Sequence, residues 1–448
     1  MLGAQLPLIS ALPFVALLVA IAVAPLVAPH WWHSNRNKAI VAVLIALPVV
    51  IHLGIVVGEP GRHLLTEKIH EYLGFIVVIG ALFVIAGGVH IQGSLSGTPL
   101  VNTAMLGIGA VLANLVGTTG ASVLLIRPLL RANKSRRRTA HIVIFFIFIV
   151  ANCGGLLTAI GDPPLLLGFL KGVPFEWTLR LWPQWLTMNG ILLVVFNLWD
   201  QWTFGREERE RPGSQLEQVM EHEPLRVRGG VAMAALAGVL LTIVSAGRSA
   251  AAGRPWAVGL QEAIIVGLAL TAYLATPRQN RKQNAFTFAP LVEVALLFAG
   301  IFLTMAPVLE ILNAWSQGTR TVVGMEFGVS QPWHFFWATG ALSSVLDNAP
   351  TYLAFAASAA GLAGVPAHGP FIGALALAPE SARILAAIST GAVFMGANTY
   401  IGNAPNFMVK AIAEENGIKM PSFFGYMAYS AAILLPIFVA VSLLFFRS

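Results

Sequence analysis

Apolar residues in this chain come in long blocks rather than in alternation with polar ones. Leu6–Pro29, Gly229–Ala246 and Phe424–Phe446 are examples, each long enough as a helix to cross a membrane of roughly 30 Å. The first block has no basic leader and no small-residue cleavage site, so it reads as a retained span. Two blocks are broken by turn-forming residues. HIVIFFIFIVANCGGLL runs into TAIGDPPLLLG (Thr158–Gly168), which carries a carboxylate and two successive prolines. FMGANTYIGNAPNFMVKAI (Phe394–Ile412) is broken in the same way around Gly402, Asn403 and Pro405. Proline lacks an N–H and glycine admits backbone that other residues resist, so both blocks predict interrupted helices.

The interruptions recur with a partner motif. ANLVGTTGASVLL (Ala113–Leu125) resembles SSVLDNAPTYLAF (Ser343–Phe355), and Asn152–Leu170 resembles Phe394–Ile412, in the same order in both halves. A weaker pair is Gly80–His90 with Ala299–Glu310. Each first motif has its polar residues at the centre of a long apolar stretch, which predicts a hairpin that enters and leaves on one side. The pattern predicts an all-α integral membrane protein with about eleven transmembrane helices and two re-entrant hairpins in two inverted repeats. The expected divisions are a first half, 1–203, with hairpin 98–131 and broken helix 138–172; a cytoplasmic linker, 204–228; and a second half, 229–448, with hairpin 333–362 and broken helix 380–416.

Composition agrees: 57% of residues are hydrophobic and only 10% charged. The net charge of +7 gathers in short loops, most densely at Arg131–Arg138. That is the positive-inside pattern and calls for no nucleic acid; it places Arg36, Lys38, the Arg131–Arg138 loop and Arg278–Lys282 on the cytoplasmic side. The single cysteine, Cys153, excludes a disulfide framework. His90 and His141, near span ends, read as interfacial, and Glu293 and Glu310 as end residues reaching toward the headgroups. There is no P-loop, His-Glu-x-x-His or Gly-x-Ser-x-Gly motif, so nothing points to an enzyme.

Non-helical backbone at membrane depth is tolerated where it lines a cavity or is packed in protein, and matched broken segments in two halves are the best sequence pointer to a transporter's site. Asp162 and Asp347 are the two carboxylates in the motif cores, and each is costly there without a partner. Both also suit a helix N-cap, the plain structural alternative. With Gly117, Thr118, Thr119, Thr158, Gly161, Asn348, Thr351, Asn398, Thr399, Asn403 and Asn406 they offer carboxylate, hydroxyl, amide and carbonyl oxygens for a hard cation. Asp162, Asp347, Asn348 and Thr119 are the expected direct ligands. A buried carboxylate can take a proton when the cation leaves.

At these motifs the chain resembles the ion-transporter superfamily of divalent-anion/sodium symporters, citrate transporters, arsenite pumps and one class of sodium/proton antiporters. VGTTGASVLLIRPLL and GDPPLLLGFLKGVPFEWTLRLWPQW resemble a bacterial group labelled both sodium:proton antiporter and "putative citrate transporter". The resemblance implies inverted repeats, a homodimer, and scaffold and transport domains in a bacterial inner membrane. In the dicarboxylate symporters the hairpin tips read Ser-Asn-Thr; here they read Gly117-Thr118-Thr119 and Asp347-Asn348-Ala349, and Asp347-Asn348 followed by Pro350, with Gly161-Asp162-Pro163, resembles the antiporter branch. The expected function is sodium/proton exchange by an elevator-like movement, with sodium-coupled uptake of citrate or another carboxylate as the alternative. The expected partners are the lipid bilayer and a small inorganic cation. No cofactor is implied beyond the transported Na+ and H+.

Overall fold

The structure is a computed structural model and describes all residues except Met1, 214–222, Gly253, Ala285, Gly324 and Ser448. The first half contains helices α1 (Leu12–Val27), α2 (Asn35–Ile51) and α3 (Glu59–Gly88), then strand β1 (His90–Ser94). Next come α4 (Pro99–Ala132), the pair α5 (Ala140–Ile149) and α6 (Pro163–Leu170), and α7 (Trp182–Glu210). The second half opens on β2 (Glu223–Arg228), which pairs antiparallel with β1, and continues with α8 (Gly230–Ala251), α9 (Leu260–Ala275) and α10 (Ala289–Ser316). It closes with α11 (Pro332–Ser343), α12 (Asn348–Leu362), α13 (Pro379–Met395), α14 (Ala404–Glu415) and α15 (Phe423–Phe445). This is an all-α multi-pass membrane protein carrying one short β-ribbon.

The 34-residue α4 is not one rod. Asn102 and Asn133 exchange side-chain hydrogen bonds of 2.9 and 2.8 Å. In a continuous helix they would stand about 46 Å apart. The chain folds back at Gly117, whose φ of 78° and ψ of 157° leave the helical region. The second hairpin folds back at residues 344–347, and Phe335 on α11 meets Phe355 on α12 with ring centres 6.3 Å apart. Both hairpins are therefore present, and so are both interruptions, between α5 and α6 and between α13 and α14.

Among the described residues nine helices are long and apolar enough to cross a membrane. One of the nine is the α4 hairpin, while the 16-residue α9 and the interrupted α13–α14 pair supply crossings outside that set. By length and composition, the described helices offer ten candidate crossings beside the about eleven expected from the apolar blocks. Each half runs through three helices, a hairpin, an interrupted helix and a last helix. Between α12 and α13 lies the five-residue helix Phe371–Leu375.

Contacts between chain ends of helices divide into two faces. On the basic face Lys38 pairs with Glu293 at 2.7 Å, His90 bonds Asn284 at 2.7 Å, and Arg136 pairs with Asp200 at 2.7 Å. On the other face Lys171 pairs with Glu67 at 3.2 Å, Arg248 with Glu176 at 2.8 Å, and Trp337 donates to Ser442 at 3.1 Å. Every pair joins helix ends on one side of the bundle, as helices running alternately up and down would place them.

Several polar residues sit deeper than a hydropathy pattern implies. His141 is buried and bonds Asp200 at 2.8 Å instead of lying at the interface, because Asp200, Arg136 and Asn102 form a closed polar cluster beneath the hairpin base. His90 is likewise buried. Glu293 is held by Lys38, and Glu310 is buried 3.9 Å from His368. Of the segment 204–228, residues 204–210 complete α7 and 223–228 form β2, while 214–222 lie outside the described residues.

Candidate functional site

Pro163 and Pro164 occupy the first two positions of α6, and Asp162 stands at its N-cap with extended backbone (φ −145°, ψ 149°). A capping carboxylate normally accepts from the amides of the second or third helical residue. The second residue here is a proline with no amide, and Asp162 makes no capping bond. Its carboxylate turns across the molecule instead. Thr118 Oγ1 donates to Oδ1 at 2.7 Å, Asn348 Nδ2 to Oδ2 at 2.9 Å, and Asn403 Nδ2 to Oδ1 at 3.3 Å. One acid thus joins both hairpin tips and both interrupted helices. It is 1% exposed, and its hydrogen-bond partners are all neutral.

The first tip is docked through backbone. Thr118 N donates to Gly161 O at 2.9 Å, and a Cβ on Gly117 would stand 3.3 Å from Ile160 O. A cavity of about 50 Å³ lies beside Asp162, lined by the tip, including Thr119, and by Ile79, Leu82 and Phe83 of α3. At roughly 15 Å³ per water this holds an ion and a few waters.

The two halves match bond for bond around the interruptions. Thr158 Oγ1 donates to Asn114 O at 2.6 Å, and Thr399 Oγ1 to Ser344 O at 2.6 Å. Asn114 Nδ2 donates to Ala110 O and Gly154 O, and Ser344 Oγ to Gly340 O and Met395 O. A Cβ on Gly161 would lie 2.1 Å from Gly155 O, and one on Gly402 2.5 Å from Gly396 O. Asn403 repeats the torsions of Asp162 (φ −148°, ψ 140°), and its helix also has proline at the second position. The halves differ where they meet: Asp162 opposes Asn403, Thr118 corresponds to Asn348, and Gly117 to Asp347. One acid with three neutral donors results, rather than two facing acids.

The structure therefore brings Asp162, Thr118, Asn348 and Asn403 together, with Gly117 and Gly161 shaping their backbone. Asp347 is adjacent but differently engaged: it caps α12, accepting from Ala349 N at 3.1 Å. Thr158 and Thr399 spend their hydroxyls on hairpin carbonyls. Thr351 bonds back to Asp347 O at 3.0 Å, and Asn398 donates to Ser344 Oγ at 2.8 Å, so neither reaches Asp162. Among the described residues no three His, Cys, Asp or Glu gather as a metal site.

Two contributors escaped the sequence reading. Asn152 donates to Asn406 Oδ1 at 2.7 Å and accepts from Asn403 Nδ2 at 3.1 Å, cross-linking the two interrupted helices behind Asp162. Asn114 ties the first hairpin arm to Gly154 O and Leu157 N. Both stand inside the repeated motifs, and an asparagine in a membrane-length apolar block is the signal that marks them.

Interrupted helices facing folded-back hairpins around a buried acid are the build of a secondary transporter. A family model described as "Putative citrate transport" matches residues 3–446, nearly the whole chain, and the protein belongs to that family. No curated protein matches it.

Proposed function

We propose that this transporter exchanges sodium for protons at Asp162, working as a homodimer in a bacterial inner membrane, with halves 1–203 and 229–448 as inverted repeats and an elevator-like movement of the hairpins and interrupted helices. The basic face is cytoplasmic on this reading. The observation that carries it is a fully buried carboxylate with only neutral partners. An uncompensated charge at that depth costs at least about 3 kcal/mol, and either a proton or a cation removes the cost. Both use the same carboxylate oxygens, so they exclude one another, which is the minimum an exchanger needs. The Thr118 hydroxyl and the side-chain oxygens of Asn348 and Asn403 supply the remaining hard ligands once these side chains rotate. Asp347 contributes charge beside the site rather than a direct bond.

A second reading is sodium-coupled uptake of citrate or a related carboxylate. The family description favours it, and the N-termini of α6, α12 and α14 converge at the site, where their dipoles attract anions. Against it, Asp162 and Asp347 would repel a tricarboxylate, and the cavity beside Asp162 is too small for one in this conformation.

Proteoliposomes containing the purified protein separate the two. Exchange predicts proton release driven by inward sodium and no accumulation of labelled citrate. Sodium binding should strengthen as pH rises, because the deprotonated site grows, and level off once the carboxylate is fully ionised. Sodium affinity that ignores pH but tightens on adding citrate would decide for the importer.

A further inference from the structure

Three amides behind Asp162 form a line whose direction the backbone fixes. Asn406 Nδ2 donates to Gly396 O and Thr399 O, both at 2.9 Å, so its Oδ1 is left to accept from Asn152 Nδ2 at 2.7 Å. Asn152 Nδ2 also donates to Ile147 O at 2.8 Å, which turns its Oδ1 toward Asn403 Nδ2 at 3.1 Å. Asn403 Nδ2 donates in addition to Ala151 O at 3.1 Å and to Asp162 Oδ1 at 3.3 Å. Backbone carbonyls only accept, so each amide has one orientation that satisfies its neighbours. Asn152 and Asn406 are wholly buried and Asn403 is 2% exposed, so bulk water does not replace a lost partner. The line belongs to one half only. At the spacing by which Asp162 matches Asn403, Asn152 matches Val393 and Asn406 matches Leu165, both apolar and buried. An interrupted helix is therefore built without an amide at either position.

We propose that Asn152 and Asn406 are positioning residues that hold the Asn403 oxygen away from a cation at Asp162, and so set how weakly the site binds sodium. The inference rests on the exchange reading above, in which that oxygen joins the ligands. In this structure Asn403 shows Asp162 its nitrogen, and an N–H group repels a cation. To present its oxygen the amide has to turn, giving up Asn152 Oδ1 and Ala151 O. The binding-competent orientation is thus the minor one in the empty protein, and apparent affinity falls by the fraction of molecules that adopt it. Neither Asn152 nor Asn406 touches the ion. Their effect suits an exchanger, which has to release sodium in every cycle: the empty site regains hydrogen bonds that the occupied one lacks.

Calorimetric sodium titration of the purified full-length protein tests this. Asn152→Leu removes the acceptor and keeps a side chain of similar size. Sodium should then bind roughly fivefold tighter, the worth of one neutral hydrogen bond no longer broken on binding. In proteoliposomes the KM for sodium should fall, and kcat should fall with it because release slows. A residue that only supports the fold would weaken binding when lost or leave it unchanged, and would not tighten it. Should Asn152→Leu not fold, Asn406→Leu frees the Asn152 amide to turn together with Asn403 and carries the same expected sign. A folded variant with unchanged or weaker sodium binding overturns the proposal. Asp162→Asn is the control for the site itself. Sodium binding at wild-type strength in that variant would overturn the exchange reading and this inference with it, a result distinct from failure of the asparagine variants alone.

Discussion

Asp162 and Asp347 both precede helices, yet the residues after them assign opposite tasks. Asp347 caps α12 through the amide of its second residue, Ala349, whereas the matching position after Asp162 is Pro164, and the Asp162 carboxylate goes instead to Thr118, Asn348 and Asn403. Asparagine caps nearly as well as aspartate. Asp347→Asn should therefore keep a normal melting temperature and retain exchange within about threefold. Asp162→Asn should keep the fold and lose exchange to background, since the amide cannot alternate between proton and cation. Sodium-driven proton flux in proteoliposomes checks both, and near wild-type exchange in Asp162→Asn would remove this residue from the mechanism. The role of Asp162 was half legible in the sequence: a carboxylate before two prolines in an apolar block marks both the break and the acid. Thr118, Asn348 and Asn403 were among the candidates the repeated motifs offered, but which of those candidates bond Asp162 was not legible, because Asn348 and Asn403 lie 186 and 241 positions away.

At the scale of elements, the interruptions are held open by close backbone contact rather than by loops. Gly161 packs its α-carbon against Gly155 O so tightly that a methyl group would sit 2.1 Å from that oxygen. Gly161→Ala should thus displace the chain that carries Asp162, with a cost of several kcal/mol and loss of exchange, by analogy with other overpacked sites. Gly190, in the middle of α7, has nothing within 4 Å of the same construction, so Gly190→Ala should stabilise by up to about 1 kcal/mol through helix propensity. Thermal unfolding of the two variants in one detergent gives the comparison, and a Gly161→Ala protein as stable as Gly190→Ala would show that the interruption is not shaped by this contact. The hairpins and interruptions were legible because glycine, proline and asparagine punctuate the apolar blocks at matched places. The number of spans was less legible, since the 16-residue α9 is shorter than the length that marks a crossing in a sequence.

At the scale of the whole molecule, one charged cluster spans the parts that an elevator-like movement would separate. Lys68 on α3 is wholly buried and bonds Glu71 at 3.1 Å, while Lys171, just after α6, pairs with Glu67 and Glu71. Glu67 also accepts from Gly369 N at 2.9 Å, in the connection that follows the second hairpin. These residues carry no local signature, since a Glu-Lys-x-x-Glu run in α3 looks like an ordinary polar helix end until Lys171 arrives from 100 positions away. A framework of α1–α3 and α8–α10 is here tied to the hairpin and interrupted-helix body on the face opposite the basic one. If that body moves past the framework, Lys171 must leave Glu67 and Glu71 in each cycle; if the body is static, the cluster is simply a buried ion pair. Glu67→Cys with Lys171→Cys, in a background with Cys153→Ala, allows the two to be bridged by a mercury ion. The unbridged variant should still exchange sodium for protons. Bridging should stop exchange, and a thiol reductant that strips the mercury should restore it. Undiminished exchange in fully bridged protein would show that this contact persists through the transport cycle, and the moving boundary would then have to lie elsewhere in the fold.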